Sequence, residues 1–192
     1  MARTKEFEPG EALEAATRAF WQLGFERTSL DDLMRKMGVA RQSLYDTFGG
    51  KRSLYLKVLA HYRDTNHAYL RGIFESEGTV KAAFSRILGD ICRLSRKEHE
   101  RGCLLQSASI EFASRDEEIA VLLRENQREI EDIFKAALKR ARKHGEIAKN
   151  KEPAALARFF AATIQGMRAT ARLSHDRAEL QGIADVALST LN

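Results

Sequence analysis

The sequence predicts an all-α protein, with an N-terminal three-helix unit followed by a larger helical domain and about nine helices in total. Three observations carry this. Apolar residues recur at spacings of three and four through most of the chain. Only two prolines and twelve glycines stand among 192 residues, few enough to suit long helices. Cap-forming residues and glycines punctuate the apolar runs where helices would begin and end.

Met1 to Glu8 is charged and is expected to be loose, with Pro9 in the first turn of a helix. Ala12, Ala15, Ala16, Ala19, Phe20 and Leu23 mark that helix's apolar face, and Gly24 closes it. Trp21 and Phe25 are expected in the core of the small unit. Thr28 or Ser29 then caps a second helix, whose first turn carries Asp31 and Asp32 at the positive end of the helix dipole. Leu30, Leu33, Met34 and Met37 give that helix one apolar face, and Gly38 ends it. After the turn, Val39, Leu44 and Phe48 can face inward, leaving Arg41, Gln42, Ser43 and Tyr45 outward near the start of a very short helix. The run Thr28–Lys51 therefore reads as a helix-turn-helix, and those four side chains are what a base pair or phosphate would meet.

At these residues the sequence resembles the TetR/AcrR family of bacterial transcriptional regulators. The Gly38-Val39 turn, Leu44-Tyr45, Phe48 and Lys51 at the start of the next helix stand in that family's register. The resemblance implies that Lys51 contacts a DNA phosphate, that the last two long helices form a homodimer, and that the protein represses transcription until a small-molecule effector binds. It covers the N-terminal third specifically and the remainder by helical architecture. Three residues depart from the family pattern. Ala40 stands where Ser or Thr commonly caps the recognition helix, Met34 where a smaller alanine is common, and Asp46 where an aromatic residue or histidine is frequent. A carboxylate there repels phosphates unless it turns away.

Charge agrees with the motif. The formal net charge is +5, and the segment Arg35–Lys57 alone carries six cations against the single anion Asp46. A local basic patch on a helix-turn-helix points to nucleic acid. The expected DNA-contacting residues are Thr28, Ser29, Arg41, Gln42, Ser43, Tyr45, Thr47 and Lys51. Arg41 suits paired hydrogen bonds to guanine and Gln42 to adenine, while the hydroxyls of Tyr45 and Thr47 suit phosphates. Lys51 and Arg52 at a helix start oppose the helix dipole, a mismatch that suggests an outside anion.

The next helix runs from Lys51 toward Phe74 and links the motif to the C-terminal helices. Thr79 caps a helix bearing Val80, Ala83, Phe84, Ile87, Leu88 and Ile91, and Arg96–Arg101 reads as a charged linker. Cys103–Ala113 is an apolar helix, and Asp116 starts another that Gly145 ends. Pro153 opens a segment that is apolar or small nearly all round, and Asp176 caps the last helix. A helix without a broad polar face must be covered on more than one side, which a four-helix bundle across a two-fold axis supplies. The domains expected are residues 6–66 for DNA binding, and 67–192 for ligand binding and dimerisation.

In the second domain Phe84, Phe112, Phe134, Phe159 and Phe160 read first as packing residues. Glu111 and Arg168 each interrupt an apolar stretch, so they pair with each other, meet a charged ligand or face solvent. Cys103, at a helix start near His99 and Arg101, is a candidate thiol sensor of electrophiles or oxidants, against the plainer reading of a small buried hydrophobe. Cys92 and Cys103 lack disulfide or zinc spacing and are expected reduced, and the five histidines lack metal spacing. No cofactor is implied. No glycine-rich phosphate loop or nucleophile elbow occurs, so an enzyme is not expected. No run of about 18 uncharged apolar residues is present, which implies no membrane partner and makes the cytoplasm the default. The partners expected are double-stranded operator DNA, a second copy of the chain and an unknown effector. The competing reading is a ligand-binding helical protein whose DNA contacts are vestigial.

Overall fold

Helix α1 (Pro9–Leu23) begins with proline at its first position, where the missing N–H costs nothing. The computed structural model describes residues 7–192, so the expectations for Met1 to Glu6, and the domain start at residue 6, lie outside the described residues. Ten helices are present among the described residues and no strand. After α1 come α2 (Leu30–Met37), α3 (Arg41–Phe48), α4 (Lys51–Ser76), α5 (Val80–Arg93), α6 (Arg96–Arg101), α7 (Leu104–Phe112), α8 (Glu117–Lys143), α9 (Pro153–Ser174) and α10 (Arg177–Ser189).

The all-helical expectation is met, with one correction. Arg96–Arg101 is not a linker but the helix α6, because Ser95 and Glu98 form a reciprocal capping box at its start. A six-residue helix has no room for an apolar period, so only its cap is readable.

The chain divides into two compact units, Met1–Asp64 with Cys103–Ile119, and Thr65–Gly102 with Ala120–Asn192. In the first, Ala12, Ala16, Ala19 and Phe20 of α1 are buried, as are Leu33 and Met37 of α2, Leu44 and Phe48 of α3, and Leu54, Tyr55, Val58 and Leu59 of α4. Helix α7, which sequence order places in the 67–192 half, belongs to this unit by contact. Its Phe112 ring lies 5.3 Å from Phe25, edge to face, and 5.7 Å from Tyr55. Burial there raises the Tyr55 hydroxyl's pKa well above its ordinary value, aided by the Glu111 carboxylate. Trp21 and Phe25 are half-buried rather than central, and Trp21 meets Tyr62 edge to face at 4.9 Å.

The second unit is built on stacked phenylalanines. Phe84 of α5 stacks on Phe160 of α9 at 3.9 Å, and Phe134 of α8 meets Phe84 edge to face at 5.2 Å. Around them pack Ile87, Leu88 and Ile91 of α5, Leu138 of α8, Met167 of α9, Leu180 of α10, and Leu191 just beyond it. Phe159 departs from the packing role expected of it and is 41% exposed. It belongs to a stripe on α9 (Ala155, Phe159, Ala162, Gly166, Ala169, Leu173) that repeats every three or four residues and is exposed throughout. Helix α10 carries a matching run of exposed small and apolar residues, Ala178, Gly182 and Val186. These faces account for the apolar-all-round sequence of α9.

Candidate nucleic-acid interface

Helix α2 is fixed at its start by Ser29, which adopts an extended conformation and accepts a hydrogen bond from the Asp32 amide at 3.0 Å. Asp32 returns the favour by accepting from the Ser29 amide and hydroxyl at 3.3 and 2.7 Å, and these bonds hold its carboxyl below the usual range. Of the two residues considered for this cap, Ser29 fills the role. Thr28 is fully buried, its hydroxyl donating to the Gly24 carbonyl at 2.6 Å. Its expected place on the DNA side is therefore corrected: the side chain closes the α1–α2 turn instead.

Gly38 takes the left-handed conformation that ends α2, at φ 67° and ψ 31°, which a side chain would strain. Helix α3 then starts after Ala40, whose methyl side chain supplies no cap. Val39, Leu44 and Phe48 are buried, and this fixes the helix's rotation. Arg41, Gln42, Tyr45 and Asp46 consequently face solvent, with Ser43 and Thr47 half-buried beside them. At the helix's end Gly50 has φ 105°, and a Cβ there would come within 3.2 Å of the Tyr45 ring. Gly50 thus lets the chain turn closely under an exposed tyrosine.

Arg41, Gln42 and Lys51 each have a partner within the first unit. Arg41 reaches Asp31 of α2 at 3.3 Å, a pair in which both side chains are mostly exposed. Gln42 donates from Nε2 to Asp46 Oδ1 at 2.8 Å. Lys51 Nζ lies 3.5 Å from the Glu26 carbonyl and 4.3 Å from the centre of the Phe25 ring. Exposed ion pairs contribute about 0–1 kcal/mol, so Asp31 holds the Arg41 guanidinium only weakly.

Arg52 behaves differently, and the outside anion expected for it is supplied from within. Its Nε and Nη2 each donate to Asp116 at 2.8 Å, and Nη2 also reaches Glu118 at 2.9 Å. Hydrogen bonds from the guanidinium hold the Asp116 carboxyl below the usual carboxylate range. A carboxylate depressed in the fold stabilises it above the unfolded value and loses that contribution as pH falls. Asp116→Asn therefore lowers the melting temperature at neutral pH, and the gap from the parent protein narrows as pH falls below the ordinary carboxylate range, which thermal melts from neutral to acid pH measure.

The residues expected from sequence to carry ligand or thiol chemistry are divided between the two units. Cys103 precedes α7 in the first unit, half-buried, and receives the Tyr62 hydroxyl at 3.9 Å from Sγ. Cys92 and Cys103 are both free thiols. Glu111 is also in the first unit, where burial and then Glu26 raise its carboxyl's pKa. Arg168 lies in the second unit, half-buried on α9. A cavity of about 190 Å³ in the second unit is lined by Phe74, Thr79, Val80, Arg140, His144 and Glu146 among others. Among the described residues no cluster of His, Cys, Asp and Glu suits a metal ion, and no helix is long and apolar enough to cross a membrane.

Residues 12–58, which contain α2, α3 and their turn, match the family described as bacterial regulatory proteins, tetR family. Residues 83–186 match the family described as tetracyclin repressor-like, C-terminal domain. The chain belongs to the TetR family. It is 34% identical to the uncharacterized HTH-type transcriptional regulator YezE of Bacillus subtilis over the whole of both chains. It is 30% identical to the HTH-type transcriptional repressor ComR of Escherichia coli, over 98% of this chain and 90% of that one. Among solved structures it resembles the TetR family regulator CifR, a cysteine mutant in complex with double-strand operator DNA. The TM-score is 0.86 and the identity 26%, over 99% of this chain and all of that one.

Proposed function

We propose that this TetR-family chain is a cytoplasmic, non-catalytic repressor that binds a palindromic operator as a homodimer and is released by a small-molecule effector. The observation that carries the DNA contact is the rotation of α3: burial of Leu44 and Phe48 turns Arg41, Gln42 and Tyr45 outward together. In a helix-turn-helix the second helix lies in the major groove, where these side chains meet base edges and phosphates. Ser29, Arg41, Gln42, Ser43, Tyr45, Thr47 and Lys51 make up the proposed contact set, with Thr28 left out because it is buried. The operator complex of CifR supports this reading. Residues 6–66 would carry the DNA contact, braced by α7, and the remainder the dimer contact and effector site. The exposed stripes on α9 and α10 support the dimer, because two copies would cover them with a four-helix bundle.

Lys51 tests the phosphate contact. Its hold on the Glu26 carbonyl is long, at 3.5 Å, so the ammonium is available to an outside anion. Lys51→Ala weakens binding about equally on all DNA sequences and lowers the slope of log affinity against log salt by roughly 1 per subunit. Titration of the operator at several salt concentrations measures it, and an unchanged slope removes Lys51 from the contact set.

A further inference from the structure

We infer that Asp46 is a positioning residue that sets base preference by fixing the carboxamide of Gln42. The inference rests on the DNA-binding reading above and deepens it. Gln42 and Asp46 stand one turn apart on the exposed face of α3, and Gln42 Nε2 donates to Asp46 Oδ1 at 2.8 Å. An ionised carboxylate only accepts, so it determines which end of the carboxamide faces it: the NH2 group turns toward Asp46. One N–H is used in that bond. One N–H and the carbonyl oxygen remain for a partner.

That remaining pair matches an adenine edge, whose N7 accepts and whose N6 amino group donates. The carbonyl alone also suits the N4 amino group of cytosine. Guanine presents two acceptors in the major groove, N7 and O6, and so gives the Gln42 carbonyl no donor. An untethered glutamine rotates its carboxamide and turns N–H groups toward either kind of edge. The tether removes that freedom, so it adds discrimination rather than another contact. It also gives the Asp46 carboxylate a partner on the helix itself, which is how an anion is accommodated on a surface that faces phosphates.

The test is selection of bound sites from random duplex DNA, followed by competition among the four base-pair variants at each half-site position. The parent protein, Gln42→Ala, Asp46→Ala, Asp46→Asn and the Gln42→Ala/Asp46→Ala double variant are compared. Gln42→Ala relaxes preference at one symmetric position, where the parent favours a base with a major-groove amino group over guanine by about 5-fold or more. Asp46→Ala relaxes the same position to within about 2-fold while affinity for the best site stays within a few fold. Asp46→Asn, whose carboxamide donates as well as accepts, leaves Gln42 free to turn either end toward it and relaxes the preference as Asp46→Ala does. Adding Asp46→Ala to Gln42→Ala changes the base preference no further. The inference is overturned if Asp46→Ala keeps the full preference, if it weakens all sequences equally, or if Gln42→Ala alters no position. A parent protein that enriches no sequence at all overturns the DNA-binding reading itself, an outcome distinct from these three.

Discussion

Ala162→Arg converts the protein to a monomer and lowers its operator affinity by roughly 10²–10⁴-fold, the gain that linking two recognition units confers. Ala162 is central in the exposed stripe of α9, between Phe159 and Gly166, where small residues let two helices approach closely. In the proposed dimer an arginine there would place a charge and a long side chain where two apolar surfaces meet. Each subunit keeps its own α3, so single half-site contacts survive. What is lost is simultaneous engagement of two successive major grooves. Sedimentation and operator titration on the same samples check both halves, and a variant that stays dimeric with undiminished affinity would place the dimer contact elsewhere. The substituted side chain is exposed in the single chain, so the fold is retained.

Phe84→Ala costs about 3–5 kcal/mol of stability. Phe84 is fully buried, stacked 3.9 Å from Phe160 and edge-on to Phe74 and Phe134 at 5.2 Å each. Removing it opens a void that three rigid rings cannot collapse to fill. For a chain of this size the loss corresponds to a drop of roughly 6–20 °C in melting temperature. Protein concentration must be held fixed, since a dimer's stability depends on it. A loss below about 1 kcal/mol would mean that the second unit is not organised around this stack.

Local features carry most of what is legible in the chain before folding. The α2–α3 motif can be read because its cap, its apolar spacing and Gly38 all lie within a few residues of one another. Charge hides helix α6, although Ser95 followed three residues later by Glu98 is a capping signature. The partner of Arg52 is not legible, since Asp116 lies 64 residues away and only the fold joins them. Thr28 and Ser29 are equivalent as caps by residue type, and burial separates them. Asp46 is a half-legible residue. Its charge stands out as an anomaly, and the four-residue spacing to Gln42 holds the explanation.

Footprinting of the purified protein on the DNA it selects from a random pool bears most immediately on the operator reading. Two inverted half-sites are expected, protected in successive major grooves on one face of the duplex and occupied by one dimer, with protection weakened by Arg41→Ala and lost at high salt. Recovery of no enriched sequence, or of a single unpaired site bound equally well by a monomer, would refute it.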